Sequence, residues 1–282
     1  MEHKKVGFIG LGDMGRPMAR NLLKKGFRVT VCAHVNRAPI EELKALGATE
    51  VKSPGEVAAA SDVVLSAVRD EPQTDRVMYS ESGVLQGIRK GSTIIIHSTI
   101  TPQYCQKLAA AAKEKGVSVL DAPVSGAKTA AEAGALTFMI GGEQAAMEEF
   151  RPLFEAMGKN IFHLGAVGMG EVMKLVNNLV LFGNMAVASE SVGMGLKAGV
   201  KLDRILDVLK ASTGNSWVIG NWETSTRLKR DWEQRGMAGT WGMIHKDLET
   251  ALKTARSVGV FLPIAGIVSQ TDVSTLFPEP KD

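Results

Sequence analysis

The sequence predicts an α/β domain with a doubly wound parallel sheet, followed by an all-α domain that a long helix joins to the first. From residue 5 to about residue 163, short apolar runs alternate with amphipathic stretches, and after residue 170 the strand pattern stops. A chain of 282 residues exceeds the usual size of one domain, which also favours two. We therefore place the domains at residues 1–165 and 166–282.

Five short apolar runs in the first part have the length and composition of buried strands. They are Lys5 to Ile9, Val29 to Ala33, Val63 to Val68, Thr93 to His97 and Val117 to Ala122. Helical stretches separate them, and two of these begin with a capping residue followed by proline, at Ser53-Pro54 and Thr101-Pro102. This alternation predicts a parallel sheet, which we expect Leu136 to Ile140 and Ile161 to His163 to extend.

The second part is predicted to be helical throughout. Glu171 to Lys197 contains neither proline nor a strand-like segment, which predicts one long helix. Three further helices are expected at Asp203 to Ala211, Ser216 to Lys229 and Met243 to Val258. The last residues, Phe277 to Asp282, are expected to form a frayed tail.

Composition argues against several classes of protein. Thirty-three Lys and Arg against 30 Asp and Glu leave a net charge of +3, too small for a nucleic-acid-binding surface. Cys32 and Cys105 lack the spacing of a disulfide framework or a zinc site, so we expect no metal and a reducing, cytoplasmic location. The apolar stretch Leu175 to Leu196 contains several Asn, Ser and Glu residues that a membrane span rarely tolerates, so we expect no membrane segment.

A glycine-rich motif follows the first predicted strand directly. Gly10-Leu11-Gly12-Asp13-Met14-Gly15 has the spacing GxGxxG, and helical composition begins at Pro17. Glycines in this position permit a tight strand-to-helix turn, and the N–H groups at the helix start attract a pyrophosphate. The motif therefore predicts a dinucleotide-binding site.

The choice of dinucleotide depends on the end of the second strand. NAD binding usually involves an acidic residue there, but Ala33 occupies this position and no Asp or Glu lies between Asp13 and Glu41. The polar residues that follow the strand are His34, Asn36 and Arg37. They favour NADP over NAD because they can contact a 2′-phosphate. The alternative, that Arg37 is a solvated loop charge and NAD is held by backbone contacts, stays open.

Four motifs, in order along the chain, identify a family. They are GFIGLGDMGRPMARNLLKKGF, DAPVSGAKTAAEAGALTFMIGG, GMGEVMKLVNNL and HKDLETAL. Together they closely resemble the β-hydroxyacid dehydrogenase family. The resemblance implies a Rossmann-type first domain, an all-helical second domain with a cleft between the two, and reversible oxidation of a hydroxy acid to an aldehyde or keto acid.

The resemblance also implies roles for individual residues. Ser125 and Gly126 match the residues that bind the substrate carboxylate, although Ala127 stands where the family usually has glycine. Lys174 and Asn178 match the general acid/base lysine and the substrate-orienting asparagine. Their i, i+4 spacing places them on one helical face, and apolar neighbours are expected to lower the pKa of the lysine.

Further matches concern the cofactor and the late motif. Val68, Ser98 and Thr99 are expected beside the cofactor, and Lys246 is expected to contact substrate or cofactor. His97 departs from the family pattern, and we expect it to satisfy a local hydrogen bond rather than to carry a proton. Trp241 is interpreted as a core residue, with contact to the nicotinamide as the alternative.

The predicted protein is an NADP-preferring dehydrogenase that moves a hydride between the nicotinamide and a small, carboxylate-bearing hydroxy acid or aldehyde acid. A homo-oligomer is expected from the resemblance. Two alternatives stay open. One is an imine-reducing relative, although such relatives generally lack the lysine present at Lys174. The other is a dinucleotide-binding sensor without turnover.

Overall fold

The computed structural model describes residues 4–34, 36–234, 238–272 and 275–279. The chain forms two compact units, Met1–Lys174 and Leu175–Asp282. The division falls within the long helix, whereas the sequence places the boundary just before that helix.

The first unit contains a six-stranded, fully parallel sheet. Its strands are β1 (Lys5–Ile9), β2 (Arg28–Cys32), β3 (Thr49–Val51), β4 (Val63–Ser66), β5 (Thr93–Ile96) and β6 (Ser118–Asp121). Their order across the sheet is β3-β2-β1-β4-β5-β6. The five predicted strands are confirmed. Sequence patterns missed β3 because it has only three residues, none of which is fully buried.

Helices cover both faces of this sheet. They are α1 (Gly15–Lys24), α2 (Ala38–Ala45), α3 (Pro54–Ala59), α4 (Glu71–Tyr79), α5 (Val84–Gly87) and α6 (Pro102–Glu114). Phe8 and Leu65 pack into the core on one face, while Val64 and Ile94 pack into the core on the other. The strands are therefore buried on both sides, as a parallel sheet requires.

Two of these helices begin at the capping residues that the sequence indicates. Ser53 Oγ accepts the N–H of Glu56 at 3.2 Å, at the start of α3. Thr101 Oγ1 accepts the N–H of Tyr104 at 3.2 Å, at the start of α6. Each cap satisfies a backbone donor that the helix itself leaves unpaired, typically worth about 1 kcal/mol.

The expectation that two later strands extend the main sheet is wrong. They belong to a separate three-stranded sheet of β7 (Val124–Ser125), β8 (Leu136–Ile140) and β9 (Gly158–His163). Strand β8 pairs antiparallel with β7 and parallel with β9. Among the described residues, an isolated antiparallel bridge between Asp121 and Gly141 links the two sheets. Three helices accompany this sheet: α7 (Ala127–Glu132), α8 (Gln144–Glu149) and α9 (Arg151–Met157).

The long helix α10 (Met169–Lys197) begins in the first unit and continues into the second. On length and composition it is the one helix of the described residues that meets the criteria for a membrane span, with a mean hydropathy of 1.4 in its most apolar window. The helix nevertheless contains buried polar residues that form hydrogen bonds within the protein. One of them is Glu171, whose carboxylate accepts the N–H of Ile100 at 3.3 Å. Absence of a membrane segment stays a prediction.

The described elements after α10 are all helical, as predicted. They are α11 (Leu202–Ala211), α12 (Trp217–Gly220), α13 (Trp222–Gln234), α14 (Ala238–Ser257) and α15 (Pro263–Val268). The predicted helix from Ser216 to Lys229 is two helices, because the helix is interrupted at Asn221. The side-chain amide of Asn221 donates to the Trp217 carbonyl at 2.9 Å. Helix α15 is an addition to the prediction.

The expectation of a frayed tail is wrong at its first residue. Phe277 is 1% exposed, and its ring meets Trp222 edge-on with the centroids 5.1 Å apart. Its N–H donates to Ser189 Oγ on α10 at 3.0 Å. Burial of this aromatic ring fixes the chain end against the helical core, and residues 280–282 lie outside the described residues.

Candidate active site

The glycine motif forms the turn between β1 and α1. Gly10 has a φ of +92°, and a Cβ atom there would lie 2.4 Å from the carbonyl oxygen of Ala67. A Cβ at Gly15 would lie 1.9 Å from the carbonyl oxygen of Gly10. At Gly12, by contrast, a Cβ would meet no described atom within 4 Å. The first and last glycines are thus required by the turn itself, and the middle one leaves a cradle into which a pyrophosphate fits.

The other residues of the motif divide between the core and the surface. Leu11 and Met14 are partly buried and pack against the core on the α1 side of the sheet. Asp13 is exposed at the mouth of the turn. The apolar pair therefore anchors the turn while its backbone stays accessible.

The turn lies where the strand order reverses, between β1 and β4, at the carboxyl ends of the strands. Open α/β sheets bind ligands at this point. The Val68 side chain approaches Gly10, within 3.0 Å of the Cβ position there. The Val68 N–H donates to Ser98 Oγ at 3.1 Å, and half-buried Thr99 follows. The structure thus brings these predicted cofactor residues to the switch point.

The polar residues after β2 are exposed. His34 and Arg37 both reach solvent, and Asn36 Oδ1 accepts the N–H of Ala38 at 3.0 Å, which helps to start α2. Arg37 is not a free loop charge: its guanidinium pairs with Glu50 at 2.9 Å and with Glu41 at 3.2 Å. Sequence reasoning missed Glu50 because it lies on the undetected strand β3.

Glu50 is the centre of a small charge cluster. Lys44 Nζ pairs with it at 3.2 Å, in addition to Arg37. Desolvation raises the pKa of Glu50, but hydrogen bonds from Lys44 and Arg37 outweigh it and hold the pKa below its ordinary value. The carboxylate is therefore charged at neutral pH and competes with any anion for Arg37.

The predicted carboxylate-binding residues form a turn after β7. Ser125 is half-buried at the end of the strand, and Gly126 is exposed with a φ of +128°. Ala127 follows with a φ of +55°, in the left-handed region that favours glycine. This explains physically why glycine suits position 127. Backbone N–H groups in a turn can bind an anion.

Asp121 is a buried residue for which the sequence predicted no role. Its carboxylate accepts the N–H of Gly168 at 2.7 Å and the N–H of Glu171 at 2.9 Å, at the start of α10. Burial raises the pKa of Asp121, and these backbone hydrogen bonds oppose that rise. The end of β6 thereby fixes the start of the helix that carries Lys174.

Lys174 is half-buried on α10, and Asn178 follows one turn later on the same helix. Asn178 is 4% exposed, and its side-chain amide donates to Asp247 Oδ2 on α14 at 2.7 Å. Lys246 Nζ pairs with Asp247 Oδ1 at 2.8 Å. Asn177 donates to Asn178 Oδ1 at 3.1 Å. This chain of contacts fixes the rotamer of Asn178 and brings it into one network with Lys246.

Asp247 is a second residue that sequence reasoning missed. The signal was present in the late motif, where Asp247 follows Lys246 directly. A buried carboxylate normally has partners, and the opposite charge next to it is one of them. The asparagine partner lies 69 residues away, and no local pattern indicates it.

His97 behaves as predicted. It is 5% exposed, with Nδ1 2.7 Å from the carbonyl oxygen of Ala122, so Nδ1 is the protonated nitrogen. Desolvation by burial lowers the pKa of His97 to about 4. The neutral ring is a local structural contact. The side chain of Trp241 lies outside the part of the chain that the structure describes.

A GxGxxG turn at the switch point of a sheet with order 3-2-1-4-5-6 defines a dinucleotide-binding α/β protein. Residues 5–165 match the family model described as the NAD binding domain of 6-phosphogluconate dehydrogenase. Residues 168–275 match the model described as NAD-binding of NADP-dependent 3-hydroxyisobutyrate dehydrogenase.

Individual relatives agree with these matches. The chain is 37% identical to 2-(hydroxymethyl)glutarate dehydrogenase of Eubacterium barkeri, over 94% of this chain and 87% of that protein. It is also 37% identical to NAD-dependent L-serine dehydrogenase of Pseudomonas aeruginosa, over 94% and 89%. Among solved structures, Mycobacterium tuberculosis 3-hydroxyisobutyrate dehydrogenase with L-serine superposes with a TM-score of 0.80 at 28% identity, covering 95% and 91%.

The chain belongs to the β-hydroxyacid dehydrogenase family. It is an NAD(P)-dependent oxidoreductase that acts by hydride transfer. The family and fold class predicted from the sequence are confirmed.

Proposed function

We propose that the protein is an NADP-preferring dehydrogenase that interconverts a small hydroxy acid and the corresponding aldehyde acid or keto acid. The observation that carries this proposal is the placement of Lys174 one turn before Asn178, whose amide is fixed by Asp247. A proton-carrying group beside a rigid hydrogen-bonding amide is what alcohol oxidation needs in addition to a hydride acceptor.

Lys174 is the proposed general acid/base. When bound, the nicotinamide ring supplies the hydride acceptor or donor at C4. During oxidation the Lys174 amine takes the hydroxyl proton of the substrate, and during reduction the ammonium returns a proton to the carbonyl oxygen. Asn178 orients the same oxygen by hydrogen bonding, since Asp247 and Asn177 hold its side chain in place.

Ser125 and Gly126 are the proposed holders of the substrate carboxylate. The serine hydroxyl can donate to one carboxylate oxygen, and the turn formed by Gly126 and Ala127 presents backbone N–H groups. Lys246 is proposed as a further cationic contact of the site. A carboxylate held in this way fixes which carbon faces the hydride donor.

NADP is the proposed preferred cofactor. Two observations support this preference. No acidic residue stands at the end of β2, and the cations Arg37 and Lys52 line a surface pocket beside that strand end. The proposed cofactor-binding set is completed by the turn from Gly10 to Gly15 and by the cluster of Val68 and Ser98.

We also propose that the protein is a cytoplasmic homo-oligomer. Cys32 and Cys105 are both free and buried, which is consistent with a reducing compartment. On α10, Val180, Val187 and Met194 are 60%, 59% and 72% exposed. Large apolar side chains exposed along one helix support contact with a second copy.

The test is a turnover screen of small hydroxy acids and aldehyde acids with NADPH, NADP, NADH and NAD. Saturable turnover of a carboxylate-bearing substrate, lost when its carboxylate is replaced by a hydroxymethyl group, is the expected result. Reduction of cyclic imines in place of carbonyl acids would indicate the imine-reducing alternative. Tight cofactor binding without turnover of any substrate would indicate a sensor.

A further inference from the structure

A surface pocket lies beyond the carboxyl ends of β2 and β3. Its volume is about 360 Å³, and it is lined by Ala33, Arg37, Glu50, Val51 and Lys52. In open α/β sheets the adenosine ribose of a dinucleotide reaches the end of the second strand. A phosphate on the ribose 2′-hydroxyl would therefore enter this pocket, if the cofactor binds as proposed above.

The charges around the pocket are not all available to such a phosphate. The Arg37 guanidinium contacts both oxygens of Glu50, at 2.9 and 3.1 Å. Lys44 contacts the same carboxylate at 3.2 Å. Glu50 is the least exposed member of the cluster, with 21% of its side chain exposed against 57% for Arg37. A carboxylate thus occupies the position from which the guanidinium would bind a phosphate.

We propose that Glu50 sets the discrimination between NADP and NAD by holding Arg37 in an ion pair that a 2′-phosphate must displace. The inference rests on the proposed cofactor site. A phosphate carries more charge than a carboxylate and accepts the same bidentate contacts, so it can displace Glu50 from Arg37. Breaking the ion pair lowers the affinity for the phosphate-bearing cofactor. A cofactor without this phosphate leaves the pair intact. Glu50 therefore weakens NADP binding selectively and leaves NAD binding unchanged.

Lys52 also lines this pocket, and it follows β3 directly, two residues after Glu50. Its side chain is exposed, and its backbone N–H donates to Glu56 Oε2 at 3.1 Å. The proposal assigns Lys52 as a second contact for the 2′-phosphate. This assignment would explain how the pocket takes up a phosphate even while Glu50 restrains Arg37.

The test uses direct binding of two fragments to the intact protein, 2′,5′-ADP and ADP, measured by isothermal titration calorimetry. The two probes carry two phosphates each, and the second phosphate is on the ribose 2′-hydroxyl in 2′,5′-ADP but on the 5′-phosphate in ADP. They report binding whether or not the protein turns over any substrate. Failure of the proposed dehydrogenase activity is therefore distinguishable from failure of this inference. Glu50→Gln should bind 2′,5′-ADP about three- to tenfold more tightly, with less than about a twofold change for ADP.

Glu41→Gln is the matched control. It removes the same unit of charge and also touches Arg37, at 3.2 Å, but Glu41 lies outside the pocket and is 58% exposed. It should change 2′,5′-ADP affinity by less than about twofold. An equal gain in both variants would overturn the proposal, because the effect would then come from the general field rather than from the ion pair.

Two more variants complete the test. In an Arg37→Ala background, Glu50→Gln should no longer improve 2′,5′-ADP binding, because the partner that the carboxylate restrains is gone. Persistence of the full gain there would overturn the inference. Lys52→Gln should weaken 2′,5′-ADP but not ADP. Weaker ADP binding in Glu50→Gln would also contradict the proposal, because it would mean that Glu50 holds the ribose hydroxyls directly.

Discussion

The side-chain amide of Asn178 donates a 2.7 Å hydrogen bond to Asp247 in the interior of the helical unit. Both side chains are buried, and Asp247 also pairs with Lys246 at 2.8 Å. One carboxylate therefore joins two residues that the sequence singled out separately. These contacts hold the Asn178 amide in one orientation, so its remaining hydrogen-bonding group has a fixed direction. A supporting residue makes the geometry of a site more precise in this way.

Asp247→Asn should weaken this network. Asparagine puts an NH2 group in place of one carboxylate oxygen, so either the Asn178 contact at Oδ2 or the Lys246 contact at Oδ1 loses its acceptor. Hydrogen bonds to charged groups contribute about 1.5–3 kcal/mol, and the free energy of unfolding should fall by an amount in this range. Urea denaturation followed by circular dichroism measures it.

Asp203→Asn, an exposed change on α11, is the control and should leave stability within about 0.5 kcal/mol of wild type. KM for the substrate should rise in Asp247→Asn and not in the control. Wild-type stability and wild-type KM in Asp247→Asn would show that the carboxylate does not organise Asn178.

Ala127→Gly should stabilise the protein. Ala127 has a φ of +55°, and an L residue in this region costs about 1–2 kcal/mol. Part of this gain is offset because glycine increases the entropy of the unfolded chain by about 0.4–1 kcal/mol. The expected net increase in unfolding free energy is about 0.5–1 kcal/mol, visible as a higher Tm.

The matched control is Ala130→Gly, inside the same short helix α7. There the backbone is helical, so glycine should cost about 1 kcal/mol and lower Tm. The two alanine-to-glycine changes should thus have opposite signs. A lower Tm for both would mean that the strain at Ala127 is not relieved by removing its Cβ.

The parts of the site that the sequence predicted are the parts encoded locally. The GxGxxG turn, the caps at Ser53 and Thr101 and the i, i+4 pair on α10 each depend on neighbours within a few residues, and each forms as expected. The sequence did not predict the contact of Asp247 with Asn178, because the two residues lie 69 positions apart.

Two further features depend on pairing that composition does not encode. Apolar runs identify β8 and β9 as strands, but they do not say which sheet the strands join or in which direction. Glu50 lies on a strand of three residues, too short for alternation to be visible. Its pairing with Arg37 required the register of β2 and β3, in which Val31 lies opposite Glu50.

His97 should make the protein less stable as the pH falls below about 6.5. In the unfolded chain a histidine takes up a proton near its ordinary pKa of about 6.5, whereas burial lowers the pKa of folded His97 to about 4. Between these values the unfolded state binds more protons, so stability is lost as pH falls through this window. Between pH 7 and pH 5 the loss from this group should be about 2 kcal/mol.

Urea denaturation of wild type and His97→Gln at both pH values tests this prediction. Glutamine keeps a side-chain N–H that can donate to the Ala122 carbonyl but does not titrate. The variant should therefore lose the difference in unfolding free energy between pH 7 and pH 5 that His97 causes. His34→Gln, at an exposed position, tests whether loss of any imidazole has the same effect. An unchanged pH difference in His97→Gln would place the acid sensitivity elsewhere.

Lys174→Met keeps the length and stem volume of the side chain but removes its charge and its exchangeable proton. If Lys174 carries the hydroxyl proton, kcat should fall by about 10²–10⁴, which corresponds to about 3–5 kcal/mol of lost transition-state stabilisation. Binding of NADPH, measured by fluorescence titration, should stay close to wild type, because the phosphate turn at Gly10 to Gly15 is unchanged. Tm should also persist, since the helix retains an apolar residue at this half-buried position.

Lys197→Met, at the exposed end of the same helix, is the control and should retain wild-type kcat. The pH dependence of kcat provides a second readout, because the ionisation of the lysine should disappear from the profile of Lys174→Met. A Lys174→Met enzyme with more than about a tenth of wild-type kcat has lost less than about 1.4 kcal/mol. That outcome would remove Lys174 from the proton transfer. The role would then pass to Lys246 rather than His97, because His97 is buried and its Nδ1 is bonded to the Ala122 carbonyl.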